Sequence, residues 1–185
     1  ATCHGTGPSF GVRPDQVHFD PLVAASARFR YEVLKVVDTA PGQNPTVTIR
    51  VTDPTNGNAP YDIRAVGGPF QIGSASLRVD IAWSTRPDFT NTGSGSATAT
   101  TGSPAQPFSI DFKANGVPDP EFAGAFRATA TRAIPADATG SGSALLEGRP
   151  NVRMDTNGDG VLENVAVPVV SAGRAPGTPR AGAHH

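Results

Sequence analysis

The sequence predicts an all-β domain, a Greek-key β-sandwich or split barrel of about eight short strands. Three observations carry that prediction. The chain of 185 residues contains 21 Gly and 18 Pro, about a fifth of all positions, which leaves few windows for an uninterrupted helix. Apolar and polar residues alternate with period two in several short runs, the pattern of a strand with one dry and one wet face. Clusters of Asn, Asp, Gly and Pro separate the runs at roughly 10–15-residue spacing, which is turn chemistry.

The elements follow in order. Residues 1–27 carry Gly and Pro every few positions without any period, so they read as an irregular segment. RFRYEVLKVVD (28–38) is a β-rich run with Phe29, Tyr31, Val33 and then Val36 and Val37. PGQNP (41–45) is a turn. In TVTIRVTD (46–53), Val47, Ile49 and Val51 alternate with Thr48, Arg50 and Thr52, a half-buried strand. DPTNGNAP (53–60) is dense turn sequence, and YDIRAV (61–66) reads as a short strand or sheet edge.

SASLRVDIAWS (74–84) alternates most cleanly: Ala75, Leu77, Val79 and Ile81 share one face, while Arg78 and Asp80 share the other. Trp83 falls on the inward end of that strand and reads as core. Residues 85–107 form a long loop of small residues, too polar to pack. PFSIDFK (107–113) aligns Phe108, Ile110 and Phe112, and GAFRATATRAI (124–134) turns Phe126, Ala128 and Ala130 inward. SGSALLEG (141–148), NVRMD (151–155) and VLENVAVPVV (161–170) complete the set. The domain thus spans 28–170, and 171–185 is a linker or tag-like tail ending in His184 and His185.

Composition excludes several classes. The formal net charge of −1 supplies no basic footprint for nucleic acid. No apolar run approaches the ~18 residues of a transmembrane helix. Cys3 is the single cysteine, so no intrachain disulfide forms. Tracts of Ser, Thr, Gly and Ala, with only Lys35 and Lys113 against thirteen arginines, suit a secreted protein. Outside the tail the only histidines are His4 and His18, which leaves a Ser-His-Asp triad without a base. Acidic residues are scattered, and GSGS (93–96) lacks the strand–loop–helix setting of a phosphate loop. The chain therefore reads as a non-enzyme.

Two segments hold metal chemistry. The first is Thr-Cys-His at 2–4. Covalent c-type haem needs two thiols and an adjacent histidine, Cys-x-x-Cys-His, and the missing first cysteine would stand one position before Ala1. On that reading Cys3 is a thioether anchor and His4 an axial iron ligand; on the other they are a free thiol and a loop histidine. His18, in QVHFD, is either a surface histidine or a distal axial ligand.

The second is DTNGDGVLE (155–163). Asp155, Asn157 and Asp159 supply oxygens at loop positions 1, 3 and 5, Gly160 allows the sharp turn, Val161 offers a carbonyl and Glu163 a carboxylate. Ca²⁺ takes six to eight oxygens, and alternate spacing in a tight loop lets them converge. An EF-hand would need Glu at position 12, where Ala166 stands, and the flanks are β-like. The pattern matches a β-hairpin type of calcium loop; the same residues also make a good plain turn.

Four segments, VTIRVTDPTNGNAPYDI, SASLRVDIAWSTRPDFTNTGSGS, QPFSIDF and IPADATGSGSALLEGRPNV, together resemble a β-domain of the outer-membrane decahaem c-type cytochromes of the OmcA/MtrC type. The resemblance covers 28–170, and ATGSGSALLEGRP and IAWST with its following Gly/Ser loop carry most of it. In that family Greek-key β-domains alternate with haem-packed domains and begin soon after a haem-attachment motif, which fits Cys3 and His4. The resemblance implies a scaffold within an extracellular, outer-membrane-attached electron-transfer protein. Such a protein passes electrons from the cell to metal oxides, flavins or partner cytochromes, and its partners would be haem, other cytochromes or an outer-membrane conduit. The chain departs from the family in having no complete Cys-x-x-Cys-His and no cysteine pair for a redox disulfide. A reading from another class is a secreted, calcium-stabilised β-sandwich for adhesion or carbohydrate binding. A cysteine upstream of Ala1 in the native product separates the two.

Overall fold

The structure is a computed structural model that describes residues 21–85, 107–134, 136, 138–156, 159–167 and 169–170. Within them the chain is β-rich and antiparallel, with short helices only. Strand β1 (Arg30–Val37) pairs with β2 (Thr46–Asp53), and β2 pairs in turn with β3 (Ala59–Pro60) and β7 (Phe126–Thr129). β6 (Val117–Pro118) closes this first sheet against β7. The second sheet has the order β11 (Val169–Val170), β8 (Ala138–Arg149), β4 (Ser76–Thr85), β5 (Phe108–Asp111). β9 (Asn151–Met154) and β10 (Glu163–Ala166) form a separate hairpin. The chain crosses repeatedly from one sheet to the other, and the two sheets stack as a sandwich without closing into a barrel.

The alternation read from the sequence builds the core. Val47, Ile49 and Val51 from β2 join Leu77, Val79, Ile81 and Trp83 from β4, Phe108 and Ile110 from β5, and Ala144 and Leu146 from β8 in one buried cluster. Each large apolar side chain removed from water contributes about 1.5–3 kcal/mol, which pins the register because a one-residue slip would turn the whole set outward. Trp83 is buried and stacks on Phe108 with ring centroids 5.0 Å apart. Directly across the ladder sits Gly142, where a Cβ would come within 2.7 Å of the indole Nε1.

β1 departs from simple alternation because its register shifts between Val33 and Lys35. The extra residue of that bulge explains why Val36 follows Val33 by three while both pack on the core. Near the opposite end Tyr31 packs its ring over Gly148, whose missing side chain makes room for the phenol.

The structure corrects the sequence reading in four places. Pro21–Ser26, inside the segment read as irregular, forms helix α1, with Pro at its start and Ala25 buried in the core. Residues 61–66 are turns, not a strand. Asp62 Oδ1 accepts the Arg64 N–H, Ala65 N–H reaches Asp62 O, and buried Ile63 and Phe70 anchor the segment. The run 161–170 is split: Val161 and Leu162 are exposed, β10 pairs with β9, and β11 returns to β8. β5 ends at Asp111 because that carboxylate caps helix α2 (Phe112–Asn115), accepting the Ala114 N–H at 3.1 Å. These splits and additions bring the strands to eleven among the described residues, more than the eight anticipated.

Candidate functional site

The loop between β9 and β10 carries the predicted calcium residues. A four-residue ladder, Glu163 opposite Met154 through Ala166 opposite Asn151, holds its base. Within it Asp155 Oδ2 accepts the Gly160 N–H at 2.8 Å, and Asp159 Oδ1 accepts the Val161 N–H at 2.7 Å. Glu163 Oε2 accepts both the N–H and the hydroxyl of Thr156, at 3.0 and 3.1 Å. Gly160 has φ +83°, a conformation glycine adopts freely. The carboxylates thus brace the loop's own backbone. Among the described residues no three carboxylate, imidazole or thiol groups converge as a metal cluster. Asn157 lies outside the described residues, as do Cys3, His4 and His18.

A polar hub that the sequence reading did not single out closes the β2–β3 turn. Asp53 is nearly buried, and its Oδ1 accepts the N–H and hydroxyl of Thr55 at 2.9 and 2.6 Å. Its Oδ2 accepts the Tyr61 hydroxyl at 3.0 Å and faces Arg28 Nε at 3.8 Å. The Thr55 hydroxyl, then Tyr61 and the Thr55 N–H, hold the Asp53 carboxyl below the usual carboxylate range against the opposing effect of burial. Burial, then the Asp53 carboxylate, pushes the Tyr61 phenol up to about 12. Tyr61 stacks on Phe29 at 5.0 Å and meets Phe70 edge-on at 6.2 Å, so the hub is tied into the core by an aromatic cluster.

The outer face of the first sheet has a second polar feature, also not singled out. Glu32 and Arg50 are cross-strand partners, and Glu32 Oε2 accepts from Arg50 Nε and Nη2, each at 3.0 Å. Arg30 Nη2 stands 3.8 Å from Glu32 Oε1. Together with Thr52, Asn58, Pro60, Ala123 and Gly124 they line an open cleft of about 470 Å³. Arg30 and Glu32 alternate on β1 and Arg50 stands on β2, all on one face of the sheet, where Thr48 and Thr52 of β2 are buried and not wet as the strand pattern had suggested. What the sequence lacked was the register that puts them side by side.

On the second sheet Arg78 bridges Asp80 at 3.3 Å and Glu147 at 3.0 Å, and Ser109 donates to Asp80. No histidine stands among the described residues, so this serine has no imidazole base there. Comparison of the chain with family models, curated proteins and solved structures finds no match.

Proposed function

We propose that this chain is the β-scaffold module of an extracellular multihaem c-type cytochrome, spacing and shielding haem-bearing segments in electron transfer to extracellular acceptors. One observation supports the reading most. Three of the four segments that carry the resemblance, those containing SASLRVDIAWST, QPFSIDF and ATGSGSALLEGRP, fold as the neighbouring strands β4, β5 and β8 of one sheet, and the fourth, VTIRVTDPTNGNAPYDI, supplies β2 and β3 of the other. The two most telling pieces pair along one antiparallel ladder, in which Trp83 stands across from Gly142.

On this reading Cys3 is a thioether anchor, His4 an axial ligand, and His18 a second axial ligand. The haem supplies the redox chemistry when bound; the chain supplies imidazole nitrogen, thiol and burial. His4→Met in the haem-bearing protein tests the assignment. It should change the visible spectrum and midpoint potential of one haem and leave the others alone. An unchanged spectrum and potential would remove His4 from the iron.

The second reading, a calcium-stabilised secreted module for adhesion or carbohydrate binding, draws on Asp155, Asp159 and Glu163 being carried by one hairpin. It predicts a melting temperature that rises with calcium as RT ln(1 + [Ca²⁺]/Kd), a rise that Asp155→Ala abolishes. A melting curve unmoved by millimolar calcium would reduce the loop to a turn.

A further inference from the structure

The cleft on the first sheet exists because β2 shares one edge between two short strands. β7 pairs with Thr46–Ile49 and β3 with Thr52 and Asp53, so the edge is left open at Arg50 and Val51. The Tyr61 N–H bonds to Val51 O at 2.9 Å and closes the backbone there, while Arg50 on the outer face stays half-buried between buried Thr48 and Thr52. Asn58 and Pro60 form one wall and Ala123 and Gly124 the other. Gly124 has φ +69°, and a Cβ there would run into the Pro60 ring, so the glycine lets the two walls close against each other at that end.

Charge in this cleft is unbalanced: two guanidiniums face one carboxylate. A guanidinium offers five N–H donors. Among the described residues Arg50 uses Nε and Nη2 on Glu32, and Arg30 makes only its 3.8 Å approach. Arg50 turns both Nε and Nη2 onto one Glu32 oxygen, so a carboxylate is the group its guanidinium already takes on this face. The net charge of the trio, a single positive, matches a monoanion better than a dianion.

We propose that the cleft binds a small organic monocarboxylate, clamped by Arg30 and Arg50 beside Glu32. The site is independent of the haem reading, and its failure would leave that reading untouched. The test is NMR titration of the full chain with propionate at low ionic strength, with propionamide as the neutral control. Propionate should give saturating shifts at the Arg50 Nε–H and the Gly124 amide, and propionamide none. Arg30→Gln, at a side chain 61% exposed and so safe for folding, should weaken binding by about three- to ten-fold, as should Arg50→Gln. Glu32→Gln removes the competing carboxylate and should tighten binding by about three-fold or more. Shifts without saturation, an unchanged affinity in Arg30→Gln, or weaker binding in Glu32→Gln would each overturn the proposal. Inorganic phosphate binding more tightly than propionate would overturn the carboxylate assignment.

Discussion

Replacing Tyr31 by Phe removes one oxygen from the core and leaves the ring in place. Tyr31 is buried, and its hydroxyl has no hydrogen-bond partner among the described residues. Its ring lies 6.4 Å from Phe70, a contact that the substituted ring retains. A buried hydroxyl without a partner costs about 1–3 kcal/mol in mutational series, so the substitution relieves a penalty and sacrifices no bond. Taking the low end, Tyr31→Phe should stabilise the fold by about 1 kcal/mol, or roughly 2–4 °C in melting temperature for a chain of this length. Gly148 sharpens the test. A Cβ there would collide with the Tyr31 hydroxyl, so Gly148→Ala should destabilise in the parent and less so in the Tyr31→Phe background. The double-mutant cycle should couple by more than about 0.5 kcal/mol. Urea unfolding with an unchanged m-value reads both effects. A Tyr31→Phe variant less stable than the parent by about 0.5 kcal/mol or more would refute the reasoning, because it would mean that the hydroxyl is bonded in solution.

The chain has two tyrosines, and both phenols are raised, Tyr31 by burial and Tyr61 to about 12. Ultraviolet titration of the folded protein should therefore show no phenolate step near the ordinary value of about 10. Because the folded values lie above the unfolded one, this stabilisation is complete below about pH 10 and is lost as pH rises through the folded range. Asp53 and Asp119 are both lowered. At Asp119 burial opposes the charge but is outweighed by the N–H groups of Glu121 and Phe122 and by the Thr48 hydroxyl. Their contribution is present above the unfolded value of about 3.9 and is lost as pH falls through the folded values. Asp53→Asn should flatten that acid limb in melting scans from pH 6 downward; an unaltered limb would count against it. Gly142→Ala should cost about 1–3 kcal/mol by overpacking the indole, and the emission of the single tryptophan should shift with it.

The strands that form the centre of the sandwich were legible because burial on one face forces strict alternation. Leu77, Val79 and Ile81, or Phe108 and Ile110, can be read directly as core. The reading failed where a local side chain competes with the ladder. YDIRAV has strand-like composition, yet Asp62 captures the Arg64 N–H and turns the chain, and Asp111 does the same to start α2. Helix α1 is a six-residue element, too short for any 3.6-residue period to show. The loop at 155–163 was legible as a turn rich in carboxylate and amide oxygens, and its carboxylates bond the loop backbone. The Arg30–Glu32–Arg50 trio was not legible, because it depends on the pairing of β1 with β2 and on where β7 stops. Pairing register is a tertiary property, fixed by which faces are buried.

The central claim is that this sandwich serves a haem-bearing electron-transfer protein. The most direct measurement is a denaturing intact mass with a visible absorption spectrum on the protein purified from its native source. The account predicts a mass excess in haem-sized steps that survives denaturation, together with a sharp Soret band. A mass equal to the bare polypeptide and no visible absorbance would contradict it.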